Sequence, residues 1–77
     1  MQVNYDKELD ARGLACPLPI VKTNKAISQM ASGQVLRVMA TDSGSVADMQ
    51  AYAEQTGHAL LSSTQESGVY VFYLKRS

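Results

Sequence analysis

Two periodicities take turns along this chain, and the switches between them mark six elements. Leu9 and Ala11 alternate with Glu8 and Asp10, so Lys7 to Ala11 reads as a first strand. Gly13 breaks the alternation and opens a turn that ends at Cys16. From Pro17 to about Ser32 the spacing is helical. Ile20, Asn24, Ile27 and Ala31 recur on one face, with Thr23 and Met30 beside them, and Lys22, Lys25 and Gln29 lie opposite. Asn24 is the awkward member of that inner face: either it bonds a loop or the stripe is slightly rotated. Gly33 stands where a C-terminal breaker is expected. Val35 to Ala40 is a strand of strong β character, with Leu36, Val38 and Ala40 facing inward because Arg37 should face water. Thr41 to Ser45 is turn chemistry, and Asp42 or Ser45 is expected to cap a second helix from about Val46 to Thr56. Val46, Met49 and Ala53, with Tyr52, form its apolar stripe, and Gly57 ends it. Ala59 to Gln65 and Val69 to Lys75 are two strands joined through the short loop Glu66-Ser67-Gly68.

The order β-α-β-α-β-β gives an α/β (α+β) class. The expectation is a two-layer sandwich, a four-stranded mixed sheet with two helices on one face. The first β-α-β connection should be a right-handed crossover. Tyr70, Phe72 and Leu74 are the core-facing set of the last strand, with Tyr73 and Val71 on the open face; the inverted assignment is the alternative. No linker, repeat or charge block divides the chain, so residues 1–77 read as one domain.

Composition narrows the class. An apolar share of 45 % with 18 % charged residues is that of an ordinary soluble globule. Seven basic and seven acidic residues cancel, which weighs against direct, autonomous nucleic-acid binding. No apolar run reaches the length of a membrane span, and the polar start from Met1 to Leu9 has no signal-peptide core. One cysteine cannot form an internal disulfide, so a reducing cytoplasm is the expected compartment.

That cysteine carries the chemistry. Cys16 is followed by Pro17-Leu18-Pro19 at the start of a helix. The first N–H groups there lack intrahelical partners and the macrodipole adds positive charge, so the thiol pKa is expected to fall below its ordinary value. Pro17 and Pro19 suit a first turn, where an N–H would be unpaired anyway. Gly13 serves either a positive-φ turn or a close approach to the cysteine loop, and Asp10 caps or braces that loop. His58 is expected at the surface. Met30, Met39 and Met49 suit packing, and no phosphate loop or metal-ligand spacing stands out.

The segment from Leu9 to Pro19, with Leu9-Asp10, Gly13 three residues before Cys16, and Cys16-Pro17-Leu18-Pro19, is very similar to the signature of the TusA family of sulfur-carrier proteins. The likeness extends through Gly33 and the strand after it, Asp42 and the final hairpin. The resemblance implies a βαβαββ sandwich in which Cys16 accepts sulfane sulfur as a covalent persulfide, with no cofactor and no metal. It implies a donor protein (a cysteine desulfurase, a rhodanese or a related carrier) and an acceptor sulfurtransferase, with a monomer as the expected state. Acceptors in the family serve tRNA thiolation, molybdenum cofactor maturation or cytoplasmic sulfur oxidation. Family members of the tRNA relay tend to carry Glu at the place of Leu18 and a basic residue at the place of Ala47. The departures shift the expectation towards sulfur oxidation or general sulfur trafficking.

Around the thiol, Arg12, Lys22 and Lys25 are candidates to stabilise an anionic persulfide or steer an acidic partner; solvated surface charges are the alternative. Leu18 is expected to be an exposed anchor for a partner. Asp42 and Asp48 are read as caps first and partner contacts second. Two other functions are open: a partner-binding or regulatory module, and RNA binding by likeness to a domain of a translation initiation factor, which the zero net charge disfavours.

Overall fold

The structure, a computed structural model, describes residues 4–77. Residues 1–3 of the polar start lie outside the described residues. The elements are β1 (Lys7–Ala11), α1 (Leu18–Ser28), β2 (Val35–Ala40), α2 (Ser45–Thr56), β3 (Ala59–Glu66) and β4 (Val69–Lys75). The sheet order is β1-β2-β4-β3. β1 and β2 are parallel, with Leu9 opposite Val38 and Ala11 opposite Ala40, and β4 runs antiparallel to both β2 and β3. This is the expected two-layer mixed sandwich. No helix among the described residues is long and apolar enough to cross a membrane.

The core follows the two-residue alternation of the central strands. Leu36, Val38 and Ala40 of β2 and Phe72 and Leu74 of β4 are all fully buried, with Ala11 at the end of β1. Ile27 and Met30 close one side of that core, and Met49, Tyr52 and Ala53 of α2 the other. Tyr70 packs against the same cluster, so the core-facing set of β4 is the one expected. On the opposite sheet face Arg37 donates to the Tyr73 hydroxyl at 3.1 Å, pairs with Glu8 and lies over the Tyr5 ring.

Helix α1 ends four residues sooner than its periodicity predicts. The Gln29 N–H turns to Ala26 O at 3.2 Å and the Met30 N–H to Ile27 O at 2.9 Å, the tighter i→i−3 pattern that closes a helix. Ser28 Oγ donates to Lys25 O, and Gln34 Oε1 accepts the Ala31 N–H, so local side-chain bonds replace the next helical turn. Gly33 therefore belongs to the loop before β2, where its N–H donates to Arg76 O at 2.8 Å, rather than to a helix cap. The buried stripe is rotated: Pro19, Thr23 and Ile27 face inward while Asn24 and Ala31 are exposed. Asn24 accepts a hydrogen bond from the Tyr52 hydroxyl at 3.1 Å, which ties α1 to α2.

Helix α2 begins at Ser45 with Gly44 as its N-cap residue, and neither Asp42 nor Ser45 caps it through a side chain. Ser45 is the first residue inside the helix, one position past the N-cap, and is buried. Gly57 ends the helix as expected, its N–H donating to Ala53 O. The β3–β4 connection is tighter than the expected three residues: Ser67 and Gly68, both at positive φ, make a two-residue turn.

Leu36→Ala removes a fully enclosed side chain and is expected to cost about 2–5 kcal/mol by denaturant titration. Leu18→Ala, at a half-exposed position, should change stability by no more than about 0.5 kcal/mol.

Candidate functional site

The site lies where the parallel pair β1 and β2 ends. Ala11 and Ala40 are register partners, so the loops that follow them leave the sheet side by side. Gly13, at φ 81°, turns the first loop, and its N–H donates to Thr41 Oγ1 of the second at 2.9 Å. A side chain added at Gly13 would meet nothing within 4 Å, so the requirement there is conformational and not a close approach. Asp10 braces the turn by accepting the Arg12 N–H at 3.0 Å and the Arg12 guanidinium at 2.9 and 3.0 Å.

Arg12 is thus paired with Asp10 in this structure. Its guanidinium holds the Asp10 carboxyl down to about 2. The stabilisation is present above the ordinary carboxylate range and is lost as pH falls towards that value.

The chain then presents Cys16. The Cys16–Pro17 peptide bond is cis, Pro17 is the N-cap of α1, and its carbonyl accepts from the Ile20 and Val21 N–H groups. Pro19 sits inside the first turn, buried, with its carbonyl accepting the Thr23 hydroxyl at 2.7 Å. The thiol is exposed at the rim of a hollow of about 210 Å³ between α1 and α2, bordered by Pro17, Ile20, Asp48, Tyr52 and Gln55.

The electrostatics of this thiol are opposite to the expectation from its helix terminus. The Cys16 thiol donates to Asp48 Oδ2 at 2.6 Å. That bond favours the protonated form, and desolvation and the nearby charges of Asp48 and Asp42 add to it, so the thiol is held above its ordinary pKa. The macrodipole is a diffuse field at a solvated terminus, whereas the carboxylate is in contact. The carboxylate wins.

Cys16 Sγ and one oxygen each of Asp42 and Asp48 lie within 4.8 Å of one another, one sulfur and two oxygen donors that could hold a cation. No protein group bonds the buried Asp42 Oδ2 or Ser45 Oγ among the described residues. A side chain at Gly44 would come within 3.1 Å of Asp42 Oδ2, so this glycine is where the acidic loop has no room for more.

Asp42 and Asp48 are expected as caps first and partner contacts second; the structure gives Asp48 to the thiol. The two residues are 32 positions apart and share no local spacing. The signal available was topological: in a β-α-β unit the loops after both parallel strands open at the same end of the sheet. Leu18 is exposed as expected, and Val21 beside it is more exposed still, which the helical stripe did not single out. Lys22 and Lys25 do not border the thiol's hollow; they line another on the β1 side of α1. His58 is half-buried, tilted against Tyr52 and accepting the Ser77 N–H.

Residues 7–76 match the family described as Sulfurtransferase TusA. The chain belongs to the TusA family. It is 53 % identical over 74 residues to the sulfur carrier protein TusA of Allochromatium vinosum, covering 96 % of this chain and 97 % of that one. It is 48 % identical over 71 residues to the putative sulfur carrier protein YrkI of Bacillus subtilis, covering 92 % and 95 %. The crystal structure of a SirA-like protein from Desulfitobacterium hafniense superposes with a TM-score of 0.81 at 25 % identity, covering 91 % and 96 %. These likenesses support the expected family and its fold.

The thiol's field has a direct readout. The rate of alkylation by neutral iodoacetamide should rise with pH through a midpoint above about 8.5, the free-thiol value. Asp48→Asn removes the charge and should bring that midpoint down, with faster alkylation at neutral pH. A native midpoint at or below the free-thiol value would mean that the Asp48 contact does not govern the thiol.

Proposed function

We propose that this chain is a sulfur carrier: Cys16 accepts sulfane sulfur from a donor protein as a persulfide and passes it to an acceptor protein. The observation that carries the reading is the placement of the chain's single thiol, exposed at the rim of an open hollow. The names of its relatives support the same role.

The chemistry is exchange at sulfur. In loading, Cys16 gives up its proton and the sulfur attacks the terminal sulfur of a donor persulfide. A new S–S bond forms on Cys16, the donor's S–S bond breaks, and the donor cysteine leaves as a thiolate that recovers the proton. One thiol and one persulfide give one persulfide and one thiol, with no net oxidation and no cofactor. In unloading, an acceptor thiol attacks the outer sulfur and Cys16 departs, the acceptor's proton passing through Asp48 to the departing Cys16 sulfur. Because a thiol of raised pKa is a poor leaving group as the bare anion, that proton matters most in the second step. The charges of Asp42 and Asp48 disfavour an anionic outer sulfur beside them, so the loaded atom is favoured to turn away from the two carboxylates.

The carrier acts as a sulfurtransferase in the stoichiometric sense, in the cytoplasm, between a donor such as a cysteine desulfurase or rhodanese and an acceptor sulfurtransferase. Leu18 and Ala47, both exposed, depart from the pattern of the tRNA-relay members and so favour sulfur oxidation or general trafficking. Leu18 and Val21, three positions apart on α1, supply the apolar anchors a partner would cover.

Incubation with a persulfide donor should add about 32 Da per sulfur atom, removable by a reductant. Cys16→Ser should fold and gain nothing. A folded wild-type chain that takes up no sulfur from any donor tested overturns the proposal. Leu18→Glu should leave the melting temperature within about 2 °C and slow transfer to the acceptor by about tenfold or more; unchanged transfer would exclude Leu18 from the docking surface.

A further inference from the structure

The charges of this chain sum to zero, yet they are sorted by position. Asp42 and Asp48 gather at the thiol. On the other side of α1, Lys7, Lys22 and Lys25 border a second hollow of about 210 Å³, with Leu9 and Ala26 in its wall. The ion pairs among the described residues are Arg12 with Asp10 and Arg37 with Glu8, so these three lysines carry uncompensated charge. Glu8 also borders the hollow, but its carboxylate is turned to Arg37.

This hollow runs along an open strand edge. Among the described residues β1 stands at the end of the sheet and pairs with β2 alone. The Asp6 N–H donates to Val35 O, so by the two-residue alternation of a strand the Glu8 and Asp10 amides face β2 and those of Lys7 and Leu9 face outward. The same alternation places the Lys7 side chain with Leu9, on the α1 face and towards Lys22 and Lys25.

We propose that the outer edge of β1 and this lysine-lined hollow form a docking groove for an extended acidic segment of a partner protein, which adds to the sheet as a fifth strand. Main-chain bonds to the Lys7 and Leu9 groups would hold the segment, and alternate carboxylates would reach the lysines. The geometry suits this occupant. Same-face residues of a strand repeat at roughly 6.6–7 Å. Lys22 and Lys25 are separated by about 4.5 Å along the helix axis, and flexible lysine stems take up the difference. Lysines present point charges rather than the planar fork that reads phosphate, and only a polypeptide can complete a strand edge. The groove is separate from the thiol, so a partner could be held there while its cysteine reaches Cys16.

The test is independent of sulfur loading, because it uses the full chain carrying Cys16→Ser. The probe is a capped nonapeptide alternating glutamate with threonine and valine, added to the isotope-labelled protein. Binding should shift the Lys7 and Leu9 amides and slow their hydrogen exchange, while the inward amides of Glu8 and Asp10 change little. The double variant Lys22→Glu, Lys25→Glu, with both changes on the exposed helix face, should fold and bind the probe about tenfold or more weaker. Raising salt from about 0.05 to about 0.3 M should weaken binding to the unsubstituted lysines as well. A matching peptide with lysine in place of glutamate should not bind. The proposal is overturned if the outward amides gain no protection at millimolar probe, or if the lysine reversal leaves affinity unchanged. It is equally overturned if a single-stranded oligonucleotide, rather than the peptide, produces the shifts along β1. In the first case the lysines simply guard an edge against pairing.

Discussion

The parallel pairing of β1 with β2 is the constraint on which the rest depends. It is anchored by small and branched side chains with no accessible surface, Ala11, Leu36, Val38 and Ala40. Because the two strands run the same way, both of their following loops are delivered to one end of the sheet. The Gly13 to Thr41 hydrogen bond then joins those loops across 28 positions of sequence. Cys16 arrives on one and the acidic turn on the other. A slip of one residue in this register would move the inward set of β1 to the wrong face and separate the thiol from its carboxylate.

The site also illustrates how contact outranks field. A helix N-terminus stabilises a thiolate in general, and the Pro17 to Pro19 entry to α1 has the right chemistry for it. Yet the second loop sets Asp48 against the same sulfur, and a donated S–H with two nearby negative charges reverses the balance. The resting thiol is therefore kept protonated by its neighbours. The Tyr52 to Asn24 bond holds α2 beside α1 and so maintains the separation at which this happens.

Much of the fold was legible in the sequence because its central strands have a plain two-residue rhythm with one buried face. β2 and β4 are found between the residues where that rhythm starts and stops. The end of α1 was not legible, because Met30 stays buried after the helix has finished and so continues its apparent periodicity. Cys16, Gly13 and the two prolines were legible as a local motif. The thiol's partner was not, since Asp48 reaches it only through tertiary pairing, and its first-turn position reads equally well as a cap. Lys22 and Lys25 read correctly as an outward helix face. That the face borders an open strand edge follows from the sheet order, which no local pattern encodes.

The acidic turn has a kinetic consequence for the lone thiol. A small anionic oxidant or thiol diffusing towards Cys16 meets the charges of Asp42 and Asp48 at close range, which lowers its encounter rate. A neutral small molecule meets no such barrier. A protein presenting its own cysteine is guided by contacts over a wider surface, which offset the local repulsion. The pair of carboxylates thus acts as a charge gate, sorting collisions by what else the visitor can bind, and shields an exposed sulfur from the anionic part of the small-molecule pool.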